Sequence, residues 1–282
     1  MAINKSKYEV RGARSAFRLV LRELGYFFKG AALNIFSPEF LVVFIPLLGL
    51  WELLPHLGVV PRTLVPPISD VAVAFWDMLT VKHFLKDIGS SMLKFFMGLG
   101  IAICTAIPIG VLMGWNIAVR KRTLPLFQLL SPIPPPAWVP ITIILFGVGL
   151  PMQTFLIFLG AFYPILFNTY QAVKDTDPRY LSSARVFGAS ELTLILHVYF
   201  WNAIGAIIMS VKTGVAMGLV MLVIAEMYGG RTGIGFVLNQ AKDYFQISNM
   251  VVCMITLGVI GWFLIEVLKF VELKLAVWKA GR

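Results

Sequence analysis

The chain has 282 residues, of which 59% are hydrophobic and 13% charged, with a formal net charge of +10. Soluble domains carry about 45–50% apolar and ~25% charged residues, so a soluble globular enzyme is all but excluded. A disordered chain needs low hydrophobicity, and a disulfide scaffold needs more than Cys104 and Cys253, the only two cysteines; both lie in apolar stretches and read as buried, inert thiols.

Residues 1–39 read as a basic cytoplasmic tail. Within it Phe17, Val20, Leu21, Leu24, Phe27 and Phe28 recur at helical spacing, and Arg14, Arg18 and Arg22 share the opposite face. The pattern predicts an amphipathic helix, either on an anionic membrane surface or packed on the protein's own cytoplasmic face. No cleavable secretion signal is expected, because a long basic tail precedes the first apolar run and no small-residue cleavage pattern follows it.

Residues 40–282 read as one transmembrane domain. A span needs roughly 20 apolar residues at ~1.5 Å each, and six runs qualify: 40–57, 92–115, 124–146, 152–173, 204–227 and 250–270. The predicted class is therefore an all-α membrane protein with six transmembrane helices, since a β-barrel would show ~10-residue segments of alternating polarity. Lys and Arg number 17 in the tail, the second and fourth loops and the C-terminal end, against 5 in the alternate loops. This asymmetry predicts both termini in the cytoplasm. It also argues against nucleic acid, because the basic excess is divided among four segments and forms no single patch.

Four features inside the spans stand out. The third run contains Pro132, Pro134, Pro135, Pro136 and Pro140 around Ala137 and Trp138, which no straight helix survives. It reads as a bend beside a translocation path, with Pro136 and Trp138 in its wall, or as two short helices meeting at a loop near one surface. Gly110 with Gly114, and Gly214 with Gly218, have the four-residue spacing of closely packed membrane helices, within the chain or between subunits. Lys212 and Glu226 are charges in the fifth run, and intramembrane charges tend to be functional. Roughly 21 Å of helix separates them, so they do not pair with each other. Lys212 is a candidate charge on an anion pathway, or a snorkelling or structurally paired residue. Glu226 is a candidate for a mouth or gate, or a solvated helix end. His56, His83 and His197 lack metal-ligand spacing. No catalytic or phosphate-loop motif is present, so any energy for active transport must come from an ion gradient or another subunit.

The fourth loop carries its own helix signals. Asp177 suits the N-cap, Pro178 the first turn and Gly188 the left-handed residue after the last turn. A helix is predicted over 178–188, bearing Tyr180, Leu181, Val186 and Phe187. Ala184 and Gly188, one turn apart, would permit close approach of a partner.

At these residues the chain resembles the permease subunits of bacterial ABC importers. The family signature of Glu-Ala-Ala, three residues, Gly, nine residues, then Ile-x-Leu-Pro aligns with Ser182, Ser183, Ala184, Gly188 and the run Val198–Trp201. Here serines stand for the Glu and the first Ala, and Phe-Trp for Leu-Pro. The stretch from Pro134 to Pro140, Phe146-Gly147-Val148-Gly149, the run from Phe158 to Asn168, and Ala225-Glu226 followed by Gly233-Ile234-Gly235 are similar to the nitrate/sulfonate/taurine branch.

The resemblance implies a type I ABC importer permease fold in the bacterial cytoplasmic (inner) membrane. It implies no catalytic residue, metal or cofactor in this chain, with ATP and Mg held by separate ATPase subunits. A second permease copy, in a homodimer, and a periplasmic or lipid-anchored substrate-binding protein would complete the machine. Asp177, Pro178, Tyr180, Ser182, Ser183, Ala184, Arg185, Phe187, Gly188 and Ala189 would form the coupling helix that docks on the ATPase. The implied solute is a small anion such as a sulfonate or nitrate. Alternatives are a nonanionic solute, such as a pyrimidine vitamin precursor, in the same branch, and a gradient-driven secondary transporter.

Overall fold

The computed structural model describes residues 37–81 and 83–275. The predicted amphipathic helix of the tail lies outside the described residues, as do Lys82, Lys279 and Arg282. The described residues form ten helices and no strand.

Helix α1, Pro38–His56, starts at Ser37, whose hydroxyl accepts from the Phe40 N–H at 3.3 Å, with Pro38 in the first turn. It is apolar on nearly all sides and mostly exposed, the character of a helix solvated by lipid. Its one buried residue is Pro55. The charge inside it, Glu52, anchors the next element: it accepts from the Ser69 hydroxyl at 2.8 Å and the Ser69 N–H at 3.2 Å. Ser69 lies in α2, Ile68–Thr80, an amphipathic helix that hydropathy did not reveal.

The core is three long helices: α3, Phe84–Trp115; α6, Leu150–Lys174; and α8, Glu191–Gly229. Helix α6 lies between the other two, and Phe95, Leu99, Ala102, Ile157, Ala161, Ile165, Val211, Val215 and Leu222 are buried along the seams. Association in lipid gains no hydrophobic drive, so close backbone approach must supply the attraction. Both glycine pairs serve this purpose within the chain. A Cβ on Gly110 would lie 2.9 Å from the Leu166 carbonyl, and one on Gly114 would lie 2.5 Å from Val173 Cβ. On α8, a Cβ added to Gly214 would lie 2.8 Å from Ile165 and one added to Gly218 3.2 Å from Phe95. Gly114→Ala should therefore cost about 1–3 kcal/mol by overpacking. Gly100→Ala, with nothing within 4 Å, should be neutral or stabilising. Unfolding midpoints of the two purified variants in detergent check the contrast.

Helix α4, Ile117–Leu130, is capped by the Asn116 side chain, which accepts from the Ala118 and Val119 N–H groups at 2.8 and 3.2 Å. After Ser131 the prolines act as expected. A 3₁₀ turn, Pro135–Trp138, leads into α5, Val139–Phe146, and the path bends by 84° between α4 and the segment Pro135–Phe146. Pro134 sits in an extended conformation, as a residue before another proline must. The chain closes with α7, Pro178–Val186; α9, Ile234–Asp243; and α10, Ile247–Leu275.

Among the described residues five helices are long and apolar enough to cross a membrane, or six when the bent pair counts as one span. The fold is thus the all-helical, multi-span class expected. The helices outrun the apolar runs, because hydropathy registers only the lipid-facing length. Helix α3 begins at residue 84 rather than 92, and α8 at 191 rather than 204. At 39 residues, α8 is roughly 58 Å long, well beyond ~30 Å of hydrocarbon. Cys253 is buried as predicted, but Cys104 is exposed on α3 because it faces away from the α6 seam.

Candidate functional site

Two polar assemblies lie at opposite ends of the α3–α6–α8 core. The first surrounds α7. Asp177 caps it by accepting from the Arg179 N–H at 2.8 Å, and Gly188 follows with φ +79, the left-handed geometry expected. The predicted helix is therefore present, ending at Val186 with Phe187 as its C-cap. Its small face is partly spoken for. Leu181, Ala184 and Ala189 pack toward the cluster of Val111, Val173, Leu194 and Tyr199. Ser182, Ser183, Arg185 and Gly188 are exposed, Tyr180 is 41% exposed, and Val186 and Phe187 are 84% and 89% exposed.

The sequence leaves the loop's ion-pair partner unassigned, and the structure supplies one. Arg185 meets Glu191 at 3.3 Å, and Glu191 also accepts from Trp115 Nε1 at 3.2 Å. Helix α7 is thereby tied to the first turn of α8 and the last turn of α3. The substitution of Phe200-Trp201 for Leu-Pro also has a consequence. With no proline to break it, α8 runs through as a π-helical turn, Leu194–Tyr199. Such turns widen a helix without ending it and are frequent at functional sites.

The second assembly surrounds Glu226 and corrects the reading of it as a solvated helix end. It is fully buried. Lys94 Nζ donates to Oε1 at 2.9 Å, the Ser91 hydroxyl donates between both oxygens at 2.8 and 2.9 Å, and the Gly235 N–H donates to Oε2 at 2.8 Å. Lys94 donates a second bond to the Thr232 carbonyl at 2.6 Å, the Ile234 N–H reaches Ser91, and the Gly233 N–H reaches Asp87 at 2.9 Å. The loop after α8 is thus folded around one carboxylate. Glycine is required there: Gly233 has φ +117, and a Cβ on it would fall 2.0 Å from Glu226 Oε1. Gln153 at the start of α6 donates to the Gly229 carbonyl at 2.6 Å and joins the third helix to the same point.

The remaining candidates do not join this cluster. Lys212 is bound to Glu272 on α10 and lies half-buried, the structural pair among its two readings. Trp138 packs against Val139, Met152, Leu156, Met221 and Ala225, so the proline bend does touch α6 and α8, while Pro136 is exposed. Sequence reasoning missed the roles of Lys94, Ser91, Asp87, Glu191 and Trp115. Lys94 was legible as a cation within a span, which demands a partner. The others give no periodic or motif signal. Among the described residues no group of His, Cys, Asp or Glu could hold a metal ion.

Comparison with known proteins agrees with this architecture. Residues 106–273 match the family model described as binding-protein-dependent transport system inner membrane component. A putative ABC transporter permease protein of Methanocaldococcus jannaschii is 30% identical over 256 residues, 89% of this chain and 93% of the relative. A nitrate import permease protein of Leptolyngbya laminosa is 29% identical over 82% of this chain and 84% of its own length. A taurine transport system permease protein of Escherichia coli is 24% identical over 82% and 86% respectively.

Proposed function

We propose that this chain, which belongs to the family of binding-protein-dependent transport system inner membrane components, lines the pathway of an ATP-driven ABC importer for a small anion of the nitrate, sulfonate or taurine type. A second permease copy would complete the pathway. ATPase subunits would dock on α7 from the cytoplasm, and a substrate-binding protein would deliver solute at the other end. The charge asymmetry of the loops supports this orientation in a bacterial inner membrane.

The observation that carries the reading is α7 itself. A nine-residue helix, capped at both ends, packs one side on the core and leaves Val186 and Phe187 in the open. It is also fastened through Arg185, Glu191 and Trp115 to the two longest helices. Exposed apolar side chains on a rigid mount fit a docking surface. Movement of a docked ATPase would be carried into α3 and α8 as a rigid-body shift.

Uptake of radiolabelled taurine and nitrate by liposomes tests the proposal. Vesicles holding this chain, its ATPase and its binding protein should accumulate solute only with hydrolysable ATP. Accumulation by the chain alone under an ion gradient would refute it and favour a gradient-driven transporter.

A further inference from the structure

The end of the core that carries Glu226 also holds a cleft of about 330 Å³, at the small end of the range for small-molecule sites. Its walls come from the second and third turns of α3, the first turn of α6 with the loop before it, and the end of α8 with the loop after it. Its polar side chains are Ser90, Lys94, Gln153, Arg231 and Thr232. No carboxylate lines it. Glu226 is wholly buried beside Lys94, with its oxygens engaged by Lys94, Ser91 and Gly235, and Asp87, one turn before Ser91 on α3, accepts from the Gly233 N–H.

The hydrogen-bond inventory of the cleft leans toward donors. An ammonium has three N–H donors. Lys94 uses one on Glu226 and one on the Thr232 carbonyl, and the third remains on a side chain that is 8% exposed and lines the cleft. The Ser90 and Thr232 hydroxyls bond each other at 2.9 Å, so the pair retains one hydrogen to give. Gln153 spends one amide hydrogen on the Gly229 carbonyl and keeps another. Arg231 is exposed and brings a five-donor fork. Free donors, those of Arg231 above all, thus outnumber the acceptors left on the Gln153 amide oxygen and the two hydroxyls. Lys94 is already paired with Glu226, whereas no acid among the lining residues faces Arg231. Such a lining suits an acceptor-only guest with several oxygens better than a donor-rich or cationic one.

We propose that this cleft is an oxyanion site, taking a small sulfonate or nitrate between Lys94 and Arg231. Its place on a transport route rests on the importer reading, whereas its anion chemistry does not. An anionic lipid headgroup shares the same chemistry, and the test separates the two.

The full-length chain carrying Cys104→Ser and Leu93→Cys, which puts a thiol on the cleft wall, is placed in phosphatidylcholine nanodiscs. Its reaction rates with a sulfonatoethyl and a trimethylammonioethyl methanethiosulfonate are compared with those of a free thiol. The anionic reagent should be favoured by about threefold or more, as expected for unit charges acting near the surface. Added methanesulfonate should slow the reaction while choline chloride at equal ionic strength should not. Arg231→Gln, an exposed change outside the Glu226 network, should remove most of the preference. A free-thiol rate ratio without protection by methanesulfonate overturns the site. So does protection that requires phosphatidylglycerol in the disc, which would make the guest a headgroup. ATP-driven uptake with no protection would leave the importer reading standing and the site lost. Protection with no ATP-dependent uptake would do the reverse.

Discussion

Glu226→Ala should destabilise the folded chain by about 3–5 kcal/mol, the usual cost of removing one partner from a buried ion pair. Lys94 would keep its charge in a site where its side chain is 8% exposed, with only the Thr232 carbonyl to satisfy it. The Gly235 N–H and Ser91 O–H would lose their acceptor as well. Combining Lys94→Met with Glu226→Leu should recover a large part of the loss, because a matched apolar pair replaces a buried ion pair at little net cost. About 1–3 kcal/mol should remain for the orphaned donors. Gly233→Ala reaches the same carboxylate from the other side and should be comparably damaging. Unfolding midpoints in mixed detergent, with the double variant closing the cycle, measure the coupling. A Glu226→Ala midpoint equal to that of the unaltered chain would show that the pair holds nothing together.

This cluster also marks where sequence reading stopped. Hydropathy found the lipid-facing parts of all the spans, because lipid imposes a long apolar run on each. The prolines from 132 to 140 announced the bend, and Asp177, Pro178 and Gly188 announced α7 with its caps, since these rules are local. The pairing of Lys94 with Glu226 is not local: 132 residues separate them. Each was visible as a charge in or near a span, and the need for a partner was legible. The choice between Lys94 and solvent was not, because it depends on which helices touch; only Lys212 was ruled out, by the length of helix between it and Glu226. Lys212 instead pairs with Glu272, which lies beyond the last apolar run and was not singled out from the sequence. The amphipathic helices α2 and α9 escaped because neither carries an apolar run long enough to register. The orientation of α7 shows the same limit. Small residues at 184 and 188 suggest a face for a partner, yet Ala184 turns toward Val173 and Leu194, and only the neighbouring helices determine that.

That orientation sharpens what should be mutated on α7. On the proposed reading, the surface open to an ATPase comprises Ser183, Val186 and Phe187 together with the open side of Gly188. Phe187→Asp should abolish ATP-driven uptake and leave the fold intact, because an 89% exposed ring contributes little to the isolated chain. Buried in a partner's groove, an aromatic anchor of this kind is worth about 2–4 kcal/mol, roughly 30-fold or more in affinity. The unfolding midpoint should therefore be unchanged, while the ATPase no longer co-purifies. Gly188→Glu should have the same functional outcome by a different route. Nothing lies within 4 Å of a Cβ there, but φ +79 charges any side chain about 1–2 kcal/mol, and the carboxylate would meet the docking surface. Leu192→Asp, at a 66% exposed position on the first turn of α8, is the control that separates docking on α7 from general sensitivity of this end. If Phe187→Asp co-purifies with the ATPase and transports normally, α7 is not the contact through which ATP drives this pathway.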